Sequence, residues 1–232
     1  MFGEVVVKDK INLLFGKNKS IVITRRGNSI VYEGPGGKKR VVVKKISPSA
    51  KIIPAPPTGK YLSFLVVWLK DDIIIPPETS VSMWVSVPIG VKIYVDGTLV
   101  DHFNTGKIKR CLYDGFIGNN IITGCVTSSV LINRKAPKII GGFNFVVKNS
   151  SDYPVIVKMV PLLISNTPLF YSGKVAYYPW YKVVVYNSHA SVITNYTSPV
   201  ENMISTRNVR LPVFETRIEV ERKGENLIIG HQ

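Results

Sequence analysis

Residues 213–221, VFETRIEVE, set Phe214, Thr216, Ile218 and Val220 at alternate positions against Glu215, Arg217, Glu219 and Glu221. A period of two sends successive side chains to opposite faces of an extended backbone, so the segment fits a strand with one wet face and not a helix. VSMWVSV (81–87) repeats the pattern, with Val81, Met83, Val85 and Val87 opposed to Ser82, Trp84 and Ser86. Short runs of Val, Ile, Tyr and Phe recur along the chain, broken about every 8 to 12 residues by Gly, Pro or Asn, which is sandwich or barrel spacing. The predicted fold is all-β: antiparallel β-sandwiches with hairpin connections and little or no helix. At 232 residues the chain can bury a sizeable core as one large unit or two small ones.

Two turns are specified locally. Asp96-Gly97 inside YVDGTLV (94–100) and Gly27-Asn28 inside ITRRGNSIVYE (23–33) lie between apolar runs, and hairpin turns of this size need the positive φ these residues tolerate. PSAKIIPAPPTGK (48–60) carries Pro48, Pro54, Pro56 and Pro57. Prolines remove ladder donors, so this segment reads as a linker, and any internal boundary falls there, between a basic N-terminal β region (1–50) and a main sandwich (60–232).

The groups that catalysis needs are sparse. His102, His189 and His231 stand apart without metal-ligand spacing. Asp71 and Asp72 are adjacent, so in a strand they face opposite ways, and with Pro76-Pro77 downstream they read as a strand end or turn. No nucleophile elbow, zinc-protease or nucleotide-loop motif occurs. The expectation is a protein that is not an enzyme, with no catalytic residue, metal or cofactor. The two cysteines, Cys111 and Cys125, read as buried thiols or as a single disulfide of the kind hyperthermophile proteins carry inside cells. Abundant Ile, Val and Lys with a single Gln, at Gln232, lean towards a thermophile. The N-terminus lacks a signal-peptide core and the longest apolar runs are too short to span a bilayer as a helix, so a cytoplasmic location is expected.

Charge points to a partner. Lys and Arg number 30 against 15 Asp and Glu, a net charge of +15. Residues 1–60 hold 13 basic and 3 acidic side chains and residues 126–198 hold 7 and 1, flanking a nearly neutral middle. Such an excess repels itself unless a polyanion offsets it. Its densest stretch is GPGGKKRVVVKKI (34–46). A phosphate nest of the nucleotide-loop type needs a helix after the glycines, and the β-branched VVVKKI cannot supply one. The segment reads instead as a turn, Gly34 to Gly37, feeding a strand, Arg40 to Ile46. Clusters Lys38-Lys39-Arg40 and Lys44-Lys45 then stand about 15 Å apart at roughly 3.3 Å per residue. Lysines also guard edge strands against aggregation. Here, however, Arg25, Arg26, Lys38, Lys39, Arg40, Lys44 and Lys45 are opposed only by Glu33, which exceeds that need. A second group, Lys107, Lys109 and Arg110, and a third, Arg134, Lys135 and Lys138, lie in loop-like sequence. The aromatics of AYYPWY (176–181) suit base stacking or a sandwich core, and the core is the commoner fate.

The middle of the chain resembles a known family. KYLSFLVVWLKDDIIIPPETSVSMWVSVPIGVKIYVDG and DHFNTGKIKRCLYDGFIGNNIITGCVTSSV are similar to an archaeal family catalogued as domain of unknown function four-three-two. The likeness is carried by Pro88-Ile89-Gly90-Val91, by Arg110-Cys111-Leu112-Tyr113-Asp114-Gly115 and by Gly124-Cys125, with Asp114 inserted before the glycine, and covers about the first 165 residues. It implies an archaeal origin and an all-β fold and supplies no catalytic residue. Some of its members are fused to mechanosensitive channel domains.

The functional expectation is a non-enzymatic RNA-binding β-protein whose partner is structured RNA, above all ribosomal RNA. It would act on translation or ribosome dormancy by holding a ribosomal subunit, as a homodimer paired through exposed strand edges. The alternative is a regulatory domain at anionic membranes or on a channel. A third is a sandwich holding carbohydrate or another small ligand on Trp68, Trp84 or Trp180.

Overall fold

The computed structural model describes residues 2–15, 19–43, 49–60, 62–116, 119–132, 135–207 and 214–230. The strands run β1 (Gly3–Val6), β2 (Lys10–Phe15), β3 (Lys19–Arg26), β4 (Ser29–Glu33), β5 (Lys39–Val43), β6 (Ser49–Ala55), β7 (Phe64–Ile75) and β8 (Ser80–Ser86). They continue with β9 (Gly90–Val95), β10 (Thr98–Asn104), β11 (Lys109–Phe116), β12 (Asn119–Ser128), β13 (Leu131–Ile132), β14 (Ile140–Asn149), β15 (Val155–Leu163) and β16 (Phe170–Ser172). The last are β17 (Val175–Tyr177), β18 (Trp180–Val185), β19 (His189–Asn195), β20 (Ile204–Ser205), β21 (Phe214–Glu219), β22 (Glu221–Lys223) and β23 (Asn226–Ile229). The only helical turn among the described residues is a 3-10 turn at Pro35–Gly37, so the all-β expectation holds.

Two four-stranded antiparallel sheets, β2-β3-β4-β5 and β1-β6-β9-β10, form a sandwich. Alternation decides their inner faces: Phe15, Ile21, Ile23, Ile30 and Tyr32 from one, Ile52, Val91, Ile93 and Val95 from the other, all fully buried. Phe15 and Phe103 meet edge to face at 5.6 Å across the interface. Both anticipated hairpins are present. β3 and β4 are joined by Gly27-Asn28, with Gly27 at φ 57, and β9 and β10 by Asp96-Gly97, at φ 44 and 80.

The proline-rich segment departs from the linker reading. Ser49–Ala55 is a strand paired with both β1 and β9. β1 flanks it only from Ser49 to Ile52, so Pro54 lies where the strand has a single neighbour and a missing N–H is tolerated. One sheet is therefore built from both sides of residues 48–60.

The remaining strands form a 15-stranded sheet that folds over itself. Val147, Val157, Val183, Ile218 and Ile229, from five strands, meet across its interior. Tyr181 donates its hydroxyl across the fold to the Leu163 carbonyl at 3.0 Å. Four pairings depart from the antiparallel rule: β7–β12, β14–β17, β14–β18 and β15–β23 are parallel. The apolar run Phe64–Val67 is buried on both faces. Leu65 and Val67 enter the main core, while Phe64 and Val66 join Tyr113, Cys125 and Met159 in a small second cluster. Asp71 and Asp72 lie inside β7 rather than at a strand end, both exposed, with Asp72 Oδ2 3.9 Å from Lys158 Nζ.

Cys111 and Cys125 are joined as a disulfide, Cα atoms 5.9 Å apart, which decides between the two readings of the cysteines. In the β11–β12 ladder Cys111 faces Thr123 and Lys109 faces Cys125, so the bond runs diagonally between neighbouring strands. The aromatics of residues 176–181 follow the core reading: Tyr177, Tyr178 and Tyr181 are buried, and half-buried Trp180 donates Nε1–H to Thr197 Oγ1 at 3.1 Å.

Candidate functional site

Of the glycine-rich turn Gly34 is buried and Gly36 and Gly37 are exposed. Gly34 N–H donates to the Lys38 carbonyl at 2.7 Å and Gly37 N–H to the Gly34 carbonyl at 3.3 Å, so these amides close the turn on itself and do not form an outward cradle. Beneath it lies the buried Asp101. Its carboxylate accepts the Tyr32 hydroxyl at 2.7 Å, the Lys38 ammonium at 2.6 Å and the His102 amide at 3.0 Å. Burial would raise the Asp101 pKa, but the hydrogen bonds from Lys38 and Tyr32 outweigh it, and the carboxyl is held below its usual range. The Tyr32 phenol is pushed upward by burial first and by Asp101 second. A Cβ on Gly34 would stand 2.7 Å from both Asp101 Oδ2 and Tyr32 Oη, so the glycine serves close approach to this network.

The first basic cluster is therefore partly spent within the fold. Lys38 neutralises Asp101, and Lys39 lies 3.3 Å from Glu33 at the surface. Arg40 is exposed and in register with Tyr32. Arg25 is half-buried, with Nε–H donating to the Gly27 carbonyl at 3.2 Å, and Arg26 is exposed on the opposite face of β3. Lys44 and Lys45 lie outside the described residues, as do Arg134 and His231.

The second cluster has a different setting. Lys107, Lys109 and Arg110 line a cleft of about 1060 Å³ with Lys70, Trp68 and Trp84. Its floor follows from the ladder β11-β12-β7. Parallel pairing puts Thr127 beside Trp68, antiparallel pairing puts Lys109 beside Cys125, and residues two apart share a face. Along that face the apolar cluster of Phe64, Val66, Tyr113 and the disulfide gives way to Trp68 and Thr127 and then to Lys70, while Lys109, beside Cys125 and level with Val66, stands two strands away on the other side of the Trp68 level. Trp68 thus rests on a rigid apolar base with cations beside it. The far wall comes from β8, where Trp84 is buried against Tyr177 at 5.3 Å and the Ser86 amide donates to Ser128 Oγ at 3.0 Å. Trp84 is buried although Ser82 and Ser86 share its side of the strand, because β8 lies between β13 and β14 and Tyr177 covers that side.

Among the described residues Lys70, Lys107 and Lys109 make no ion pair, and no Asp, Glu or His lines the cleft. Lys135 and Lys138, both exposed, precede Ile139 and Ile140 of the cleft wall, and Tyr177 Oη ties their loop down through the Pro137 carbonyl at 2.7 Å. The second sequence group thus lines the cleft together with Lys70 and Trp68, and of the third Lys138 adjoins its wall through Ile139. Trp68 and Lys70 sit two apart in a strand, a same-face signal legible in FLVVWLK, but nothing local pairs that strand with Thr127. Among the described residues no group of three His, Cys, Asp or Glu side chains is placed to hold a metal. Half-buried His102, whose pKa is lowered by burial and by Lys92, lies at the sandwich edge away from the residues lining the cleft.

The sequence profile of a family described as "Protein of unknown function (DUF432)" matches residues 1–227. No curated protein and no solved structure matches the chain.

Proposed function

The chain belongs to the DUF432 family over nearly its whole length, a membership that supplies no activity, and we propose that it is a non-enzymatic RNA-binding protein whose principal contact surface is the cleft beside Trp68. The observation that carries this reading is the convergence of Lys70, Lys107, Lys109 and Arg110 on one cleft with no carboxylate among the described residues that line it. Lysines gathered without an ion pair, as Lys70, Lys107 and Lys109 are among the described residues, repel one another and are favoured when phosphates replace their counterions. Among the described residues none lining the cleft offers a general acid or base of the carboxylate or imidazole type, which suits holding a ligand rather than transforming it. Lys135 and Lys138, exposed on the segment that leads into the cleft wall, add further positive charge. Ribosomal RNA is the partner the reading favours, as the largest pool of structured polyanion in a cytoplasm. A homodimer joined at an open sheet edge such as β5 would present two clefts and could occlude a subunit.

Capture of the intact protein from native lysate, with and without RNase, tests the reading. RNA recovered with the protein and lost on RNase treatment is the expected result. In a direct titration the affinity should fall with salt on a log–log slope of about −3, near −0.7 for each of four phosphate contacts. Retention on acidic vesicles that survives RNase, with no RNA recovered, would replace this reading by the membrane alternative.

A further inference from the structure

Four cations explain attraction to any polyanion; they do not explain why a tryptophan stands among them. Trp68 is half-buried, flanked by Thr127 on β12 and Met159 on β15, and supported from below by the apolar cluster of Phe64, Val66, Tyr113 and the disulfide. A large aromatic kept partly open on a solid base, with Lys70 two residues along its own strand, is the arrangement that stacks a planar ring while holding the charge attached to it. By register Lys109 stands two strands away and level with Val66, on the opposite side of Trp68 from Lys70 and roughly 12 Å from Trp68 at the usual strand spacing and rise, far enough for a phosphate on the other side of the same ring. Ser129 and Thr127 offer hydroxyls on the same lining for the edge of a base.

We infer that the cleft is the seat of an unpaired nucleotide of an RNA strand, its base stacked on Trp68 and its flanking phosphates on Lys70 and Lys109. The inference deepens the RNA-binding reading and rests on it. It makes single-stranded loops, bulges and ends of a structured RNA the recognised element, because a paired base has no free face to offer.

The test compares three probes on the intact protein: a single-stranded RNA hexamer, an abasic ribose-phosphate hexamer with the same number of phosphates, and a free ribonucleoside monophosphate. Base stacking should make the RNA hexamer bind about 5- to 150-fold more tightly than the abasic chain, and its binding should quench tryptophan fluorescence. The mononucleotide should compete only weakly. Trp68→Ala should abolish the difference between the two hexamers while leaving the salt slope unchanged, and Trp68→Phe should retain part of it. Equal affinity for RNA and abasic hexamers overturns the base seat yet leaves phosphate binding standing. A mononucleotide that binds as tightly as the hexamer makes the cleft a small-nucleotide receptor and overturns the strand. Failure of both hexamers at low salt removes the RNA-binding reading itself. If Trp68→Ala fails to fold, the wild-type comparison of hexamers still decides.

Discussion

Replacing Gly141 with alanine is expected to destabilise the fold by about 3 to 5 kcal/mol, combining left-handed strain with overpacking. Gly141 holds φ at 81, a region that L side chains rarely adopt, and a Cβ there would overlap the Val87 carbonyl oxygen. Neither element can yield easily. Val87 N–H donates to the Gly141 carbonyl at 2.8 Å, and Gly142, next in β14, is paired with both β8 and β17. Since domains of this size are held by roughly 5 to 15 kcal/mol, the variant should lose about 10 °C or more in Tm. Gly173→Ala is the control: φ is 55, but no atom lies within 4 Å of the added methyl, so only the conformational penalty of about 1 kcal/mol remains. Urea denaturation of both variants reads the difference directly. Equal losses would mean that the chain does not pass Val87 as closely as described. Because Val87 and Ile140 line the cleft, Gly141→Ala should also weaken whatever the cleft holds.

Asp101→Ala should cost about 2 to 4 kcal/mol, because it strands a buried phenol and an ammonium that now share one carboxylate. Asp101→Asn keeps the shape and loses the charge, and should fall between wild type and Asp101→Ala. The pH dependence separates the two effects. With its carboxyl held below the unfolded value, Asp101 contributes stability that is fully present above the ordinary carboxylate range and is lost as pH falls through its folded pKa. The advantage of wild type over Asp101→Asn should therefore be constant near neutrality and shrink below about pH 4. A gap that stays unchanged down to pH 3 would show that Asp101 is not an ionised partner of Lys38.

The same network explains what was and was not legible in the sequence. Turn chemistry is local, so Asp96-Gly97 and Gly27-Asn28 announce their hairpins, and the alternation Glu215–Val220 is reproduced residue by residue in burial. The glycine-rich stretch reads as a turn before a strand, and β5 follows the turn over Lys39–Val43, residues 44–46 of that reading lying outside the described residues; the purpose of the turn is long-range. Gly34 answers to Asp101, far along the chain in another sheet, and Lys38 is drawn there by a carboxylate that no local pattern marks as buried. Pro54 misled because proline argues against a strand with neighbours on both sides, and only the length of β1 reveals that one side is open. Asn149 is likewise silent in sequence. Fully buried, it ties Ile75, Ser151 and Tyr153 together by side-chain hydrogen bonds of 2.6 to 3.0 Å. For the cleft, the cation types and their clusters were visible, and their meeting was not. It depends on the parallel pairing of β7 with β12, a contact between segments some sixty residues apart that carries Trp68 and Lys70 to Thr127 and Lys109.

The central claim is that this convergence of positive charge exists to hold RNA, and one titration tests it most directly. RNA affinity should be measured across a salt series for wild type and for the triple variant K70E/K107E/K109E, with thermal denaturation confirming that both are folded. Losing three phosphate contacts should lower the affinity about a hundredfold at 0.1 M salt and reduce the steepness of the log–log slope by about two. A folded triple variant with wild-type affinity and an unchanged slope would contradict the account.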